Sequence, residues 1–133
     1  MRTIPHSRPS LGAEERKKVV ATLRSGQIAQ GRIVERTEKA FADFVGVKGA
    51  VLFNSGTAAC HLALLALGIK KKDEVILPSY TCSALLNAIY YTGAKPILCD
   101  VHRSNFNLDP AEARKRIGKK TSAIIIPYIF GAP

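Results

Sequence analysis

Apolar residues fall into two regimes along the chain. Over residues 1–48 they recur at helical spacing. Val19, Val20 and Leu23 form a stripe in a segment from about Gly12 to Arg24, and Ser25-Gly26 stops it. The glycine-bounded loop SGQIAQG follows, and then Ile33, Thr37, Ala40, Phe41 and Phe44 repeat at helical intervals over about residues 33–45, ending at Gly46. Residues 1–10, with Pro5 and Pro9, read as an extended arm. From residue 49 the rhythm shortens. The runs AVLF (50–53), EVIL (74–77), PILCDV (96–101) and SAIII (122–126) have strand length. Helical segments separate them: Thr57–Leu67, Thr81–Tyr91, and one opened by Asp109-Pro110 as N-cap and first-turn proline that runs to about Ile117. Strands this apolar are expected where both faces are covered. Four strands divided by three helices predict parallel βαβ units with right-handed crossovers. The expected organisation is therefore α/β: an arm and two helices over 1–48, then βαβαβαβ over 49–133.

In such sheets ligands bind beyond the carboxyl ends of the strands. Asn54–Thr57, Pro78–Cys82 and Asp100–His102 all fall at expected strand ends, and their polar residues are expected to converge on one cleft. The first of these places Ser-Gly-Thr-Ala at the start of an Ala/Leu-rich helix. The opening N–H groups of a helix lack intrahelical partners and carry partial positive charge. A glycine there lets an anion approach the backbone. The segment is neither a GxxxxGK[ST] loop nor a GxGxxG fingerprint. Its residues fit two readings equally well: a phosphate seat, or a Ser55 or Thr57 cap with Gly56 serving a tight turn.

Composition narrows the class. With 133 residues, 47% hydrophobic and 23% charged, the chain is long enough for one domain with a core and is not of disordered type. The apolar stretch Ala58–Ile69 is too short to span a bilayer, and no secretory apolar region follows Met1, which points to a cytoplasmic protein without membrane contact. Cys60, Cys82 and Cys99 have no CxxC spacing and read as small buried apolar residues rather than disulfide or zinc partners. The formal net charge of +10 is dispersed over Lys70–Lys72, Arg114–Arg116 and Lys119-Lys120 without interleaved aromatics. That patterning favours solvated surface over nucleic-acid contact.

Five stretches carry a family resemblance, in order and in register. They are SRPSLGAEE, LRSGQIAQG, FADFVGVKGAVLFNSGTAACHLALLALGI, KKDEVILPSYTCSALLNAIYYTGAKPILCDV and TSAIIIPYIFGAP. Together they resemble the N-terminal part of the DegT/StrS-type nucleotide-sugar aminotransferases, pyridoxal 5′-phosphate (PLP) enzymes of the aspartate-aminotransferase-like fold. The resemblance implies a partial three-layer, parallel-type sheet of the PLP-dependent transferase large domain. It implies that Gly56 and Thr57 hold the cofactor phosphate through backbone amides and the threonine hydroxyl. Cys82 matches the position that in many members is an aromatic stacking on the pyridine ring; a cysteine covers that ring with less area. Tyr80, two residues away, is a possible substitute or simply a loop aromatic. SGQIAQG matches a segment near the active site and subunit interface. His61 reads as a hydrogen-bonded core or surface histidine, and Asp100 as a loop cap.

The family's chemistry also needs a lysine that bonds covalently to the cofactor and an aspartate beside the pyridine nitrogen. The resemblance places both after residue 133, and no lysine of this chain matches. The expected function is thus that of an N-terminal fragment of a PLP-dependent aminotransferase, inactive alone. The complete enzyme would transfer an amino group from glutamate to a nucleotide-linked keto sugar. Expected partners are a second copy or a complementing C-terminal chain. The alternatives are a fragment of a PLP-dependent sugar dehydratase of the same superfamily, or a non-catalytic binding or regulatory protein.

Overall fold

The computed structural model describes residues 3–5 and 7–131. The outermost residues of the expected arm and the final Ala132-Pro133 lie outside that range. The chain divides into two units, meeting between Leu52 and Phe53. In the first, residues 7–12 are without regular structure, and helix α1 spans Ala13–Ser25. Its start is fixed by Glu15, whose carboxylate accepts the Gly12 N–H at 2.6 Å. Helix α2 spans Arg32–Val45. Gly26 (φ 70°) and Gly46 (φ 77°) end the two helices in the left-handed region that glycine enters without strain. Ala42 is the one buried residue of this unit among the described residues, so the apolar stripes of both helices stand exposed.

The second unit holds α3 (Gly56–Ala66), β1 (Glu74–Pro78), α4 (Ser83–Tyr91), β2 (Lys95–Cys99), α5 (Pro110–Arg116) and β3 (Thr121–Ile124), followed by a short 3₁₀ turn at Ile129–Gly131. The three strands form one parallel sheet in the order β2-β1-β3. The expected fourth strand, residues 50–53, does not form. No described strand pairs with these residues, and the Leu52 N–H is bound to the Glu38 carboxylate at 2.9 Å instead of to a ladder partner. A strand exists only where a neighbour accepts its backbone groups, so an apolar run alone is not enough.

The chain steps from β1 to β2 through α4, then crosses back over β1 to β3 through α5. Right-handed crossovers in opposite directions put their helices on opposite faces. Val75 and Leu77 accordingly pack with Leu64, Ala88 and Ile89 on the α3–α4 side, and Ile76 packs with Cys99, Leu108 and Ala113 on the α5 side. The result is a three-layer α/β unit. Full covering of both faces holds for β1 alone; β2 and β3 are edge strands and remain partly exposed, a correction to the uniform burial expected from their apolar sequences. Each fully buried side chain of β1 contributes about 1.5–3 kcal/mol. Helix α5 begins as its sequence predicts: Asp109 Oδ1 accepts the N–H groups of Ala111 (2.8 Å) and Glu112 (3.4 Å), with Pro110 in the first turn.

Candidate functional site

Helix α3 opens at Ser55, whose extended backbone (φ −158°) and Oγ, accepting the Ala58 N–H at 3.2 Å, make it the N-cap. The Ala59 N–H reaches the Ser55 carbonyl at 3.1 Å. Ser55 is thus the cap and Thr57 is not. The N–H groups of Gly56 and Thr57 are left without a protein partner among the described residues, as the first groups of a helix are. The Thr57 hydroxyl likewise bonds to no described residue, whereas Thr22 and Thr37, inside α1 and α2, each donate to the carbonyl four residues back. Ser55 and Gly56 are exposed and Thr57 is half-buried. A Cβ built on Gly56 meets no heavy atom within 4 Å, and its φ lies outside the left-handed region. The fold therefore makes no demand for glycine at 56.

The direction of α3 follows from its connection. Residues 67–73 lead from its last turn to the amino end of β1, so its N-terminus points toward the carboxyl end of the strands. Helix α4 packs beside α3 and leaves β1 at that same carboxyl end. Its N-cap is Cys82, exposed and without a side-chain capping bond. Two packed helices of like direction, with axes about 8–10 Å apart, thus present their positive ends together. The glycine-threonine pair comes from one helix and Cys82 from the other.

The loops after the three strands are tied to one another. The Ser79 N–H donates to the Cys99 carbonyl at 2.7 Å. The Tyr80 ring meets Phe106 with centroids 5.7 Å apart. Phe106 (φ 60°) follows the turn of a small hairpin, its N–H donating to the His102 carbonyl at 2.9 Å; the Val101–Leu108 bridge and the His102 N–H, donating to the Asn107 carbonyl at 2.8 Å, close that hairpin. Asn107 is buried, and its Oδ1 accepts the Ile129 N–H at 3.1 Å, which fastens the segment after β3. Neither Phe106 nor Asn107 was singled out from the sequence. The Asn-Phe-Asn run, with turn residues on both sides of an aromatic, is the signal that marks them. Asp100 bonds through its backbone carbonyl, which accepts the Asp109 N–H at 3.1 Å.

Two other expectations are adjusted. His61 is not hydrogen-bonded through Nε2: that atom is buried with no partner among the described residues, and the ring sits edge-on to Tyr91 at 5.5 Å. Cys99 is buried, with burial pushing its thiol pKa up, but Cys60 is half-buried and Cys82 is exposed. Lys70–Lys72, Lys95 and Lys119-Lys120 all lie just before or at the amino ends of strands, opposite the carboxyl end to which Gly56, Thr57 and Cys82 belong. Among the described residues no helix is long and apolar enough to cross a membrane.

Comparison with known proteins bears directly on this arrangement. The profile of the DegT/DnrJ/EryC1/StrS aminotransferase family matches residues 9–133. The chain belongs to that family. It is 44% identical to GDP-perosamine synthase of Caulobacter vibrioides over 124 residues, covering 92% of this chain and 33% of that protein. Its structure is similar to that of the Spr1654 protein of Streptococcus pneumoniae in its PMP form, with TM-score 0.94, 33% identity, and 99% of this chain covering 33% of that one. The same protein is known in a PLP form. The E. coli GDP-4-keto-6-deoxy-D-mannose-3-dehydratase with bound hydrated PLP is similar at TM-score 0.87 and 26% identity, over 95% of this chain and 34% of that one. The chain thus spans about a third of the length of the family members it matches. The three-layer parallel sheet expected of this family is the one described above.

Proposed function

We propose that this chain supplies the cofactor-phosphate cradle of a PLP-dependent sugar aminotransferase. One observation carries the reading: the start of α3, where the N–H groups of Gly56 and Thr57 and the Thr57 hydroxyl bond to no described residue and a Cβ at Gly56 would meet no heavy atom within 4 Å. Those groups suit a phosphate dianion. They donate charge-assisted hydrogen bonds, stronger than neutral ones, and the helix dipole adds about 0.3–1 kcal/mol. When bound, PLP supplies an electron sink for moving an amino group. Gly56 and Thr57 would hold its phosphate, and Cys82, exposed at the head of the neighbouring helix, would offer the ring a small polarisable side chain.

In this reading the complete enzyme takes its amino group from glutamate and delivers it to a keto group on a nucleotide-linked sugar. No lysine of residues 1–133 matches the covalent role, so in this reading these residues by themselves bind the cofactor without turning it over. Similarity to the E. coli dehydratase keeps a second reading in play, in which the same cradle serves sugar deoxygenation. The test is binding of pyridoxamine 5′-phosphate against pyridoxamine. The cradle requires clear preference for the phosphorylated compound, and equal binding of the two refutes it. Feeding the complemented enzyme a nucleotide-linked keto sugar with glutamate, and identifying an amino sugar or a deoxy sugar by mass, separates the two readings.

A further inference from the structure

Helices α3, α4 and α5 run from the carboxyl end of the sheet to its amino end. Their connections therefore return the chain to one place: residues 67–73 enter β1, 92–94 enter β2 and 117–120 enter β3. These connections and the first residue of β2 carry Lys70, Lys71, Lys72, Lys95, Lys119 and Lys120, all exposed. The lysines stand in three separate runs of the sequence, and the parallel sheet makes one surface of them. The Lys95 N–H donates to the Asp73 carbonyl at 2.9 Å, and the Glu74 N–H donates to the Lys120 carbonyl at 2.8 Å. With neighbouring strands about 4.8 Å apart, the starts of β2, β1 and β3 span about 10 Å. Two carboxylates share this end. Asp73 accepts the Lys70 N–H at 2.8 Å, and Glu74 lies 3.9 Å from Lys95 Nζ. Lys70–Lys72, Lys119 and Lys120 form no ion pair among the described residues.

Lys72 supplies a second observation. Its backbone is left-handed (φ 85°), a conformation that glycine enters freely and a lysine does not. Glycine would serve this turn better, and the chain keeps a cation there. Apolar groups stand at the same end: Leu67, closing α3, is 72% exposed, and Tyr90, in the last turn of α4, is 57% exposed. Lysines around an exposed leucine and tyrosine suit the interface of an anionic bilayer, where headgroups attract the ammonium groups and the apolar side chains enter the boundary beneath them. A nucleic-acid backbone answers the charge but gives Leu67 no apolar surroundings. The six cations are also lysines, not the arginines whose fork fits phosphate or carboxylate in two bonds. We propose that the amino end of the sheet is a peripheral docking surface for anionic phospholipid. Among the described residues no helix is long and apolar enough to cross a membrane, so the contact is with the surface of the bilayer. Gly56, Thr57 and Cys82 belong to the opposite end, so docking leaves them open, and the proposal stands independently of the cofactor reading.

The test is co-sedimentation of the chain with vesicles of phosphatidylglycerol and, separately, of phosphatidylcholine. Binding to the anionic lipid alone, weakening as salt rises, is expected. Changing Lys70, Lys71 and Lys72 together to glutamine should weaken it roughly 50- to 200-fold, about fivefold per lysine. Arg103→Gln removes an exposed charge from the hairpin at the opposite end and should change binding less than about twofold. Lys72→Gly separates charge from structure: binding should fall about fivefold while the melting temperature rises. Leu67→Gln should weaken binding severalfold and leave its salt dependence unchanged. Equal binding to the two lipids, full binding by the triple variant or by Leu67→Gln, a loss with Arg103→Gln as large as that with Lys72→Gly, or a Lys72→Gly chain that melts lower overturns the proposal. So does tighter binding to duplex DNA or to polyglutamate than to the phosphatidylglycerol vesicles at the same concentration of negative charge.

Discussion

The substitution Gly56→Val separates the demands of the fold from those of a ligand. A side chain at 56 meets no described atom within 4 Å, and the backbone there is not left-handed. Valine in the first turn of α3 also has a better helix propensity than glycine, by a few tenths of a kcal/mol. The folded chain should therefore keep its melting temperature or gain a degree or two. A phosphate held by the Gly56 and Thr57 amides fares differently. The branched side chain occupies the space through which an oxygen reaches the Gly56 N–H, and one hydrogen bond to a charged group is worth about 1.5–3 kcal/mol. The dissociation constant should rise by roughly 10- to 150-fold. Isothermal titration with pyridoxamine 5′-phosphate reads this directly. The amine form is the right probe, because the aldehyde of PLP would condense with exposed lysines such as Lys70–Lys72. Pyridoxamine without phosphate should bind weakly and to the same degree in both proteins. An unchanged dissociation constant for the phosphorylated compound refutes the cradle. A melting temperature several degrees lower would show instead that the fold requires glycine at this position.

Asp109→Ala should lower stability by about 0.5–2 kcal/mol, seen as a lower denaturation midpoint, because two N–H groups of α5 lose their acceptor. Ile76→Ala, in the fully buried centre of the sheet, should cost about 2–5 kcal/mol in the same assay. Under native conditions a disulfide reagent should label Cys82 first and Cys99 last, since Cys99 is fully buried and its thiol pKa is raised by that burial; mass mapping of the labelled peptides gives the order. Glu112 accepts from Lys115 and from Arg116 at 2.7 Å, and these bonds hold its pKa below the ordinary 4.5. Its contribution is therefore present above about pH 4.5 and is lost as pH falls through the depressed value. Glu112→Gln should flatten the acid limb of the stability profile and leave the neutral region little changed, because the pair lies at the surface.

What the sequence made legible is what neighbouring residues decide among themselves. The stops at Gly26 and Gly46 and the Asp109-Pro110 start of α5 are local contests between side chain and backbone, and they stand where the sequence puts them. The opening of α3 is of the same kind, which is why a free pair of amides at Gly56 and Thr57 was legible before any coordinates. Pairing is not local. AVLF has the composition of a strand, yet Val51 and Phe53 stay 67% and 41% exposed, and no described strand pairs with them. The meeting of Tyr80 with Phe106 depends on β1 and β2 lying side by side, which no spacing within either loop records. The absence of a partner for His61 Nε2 depends on the packing of α3, and a lone histidine in an apolar run gives no sign of it. The same division separates the two edges of the sheet. Pro96 marks β2 as an outer edge within a single residue, whereas the openness of β3 emerges only once strand order and exposure are both known. The start of α3 is formed by residues beside one another in sequence, while the place of β3 at a sheet edge depends on pairing with β1, about fifty residues away.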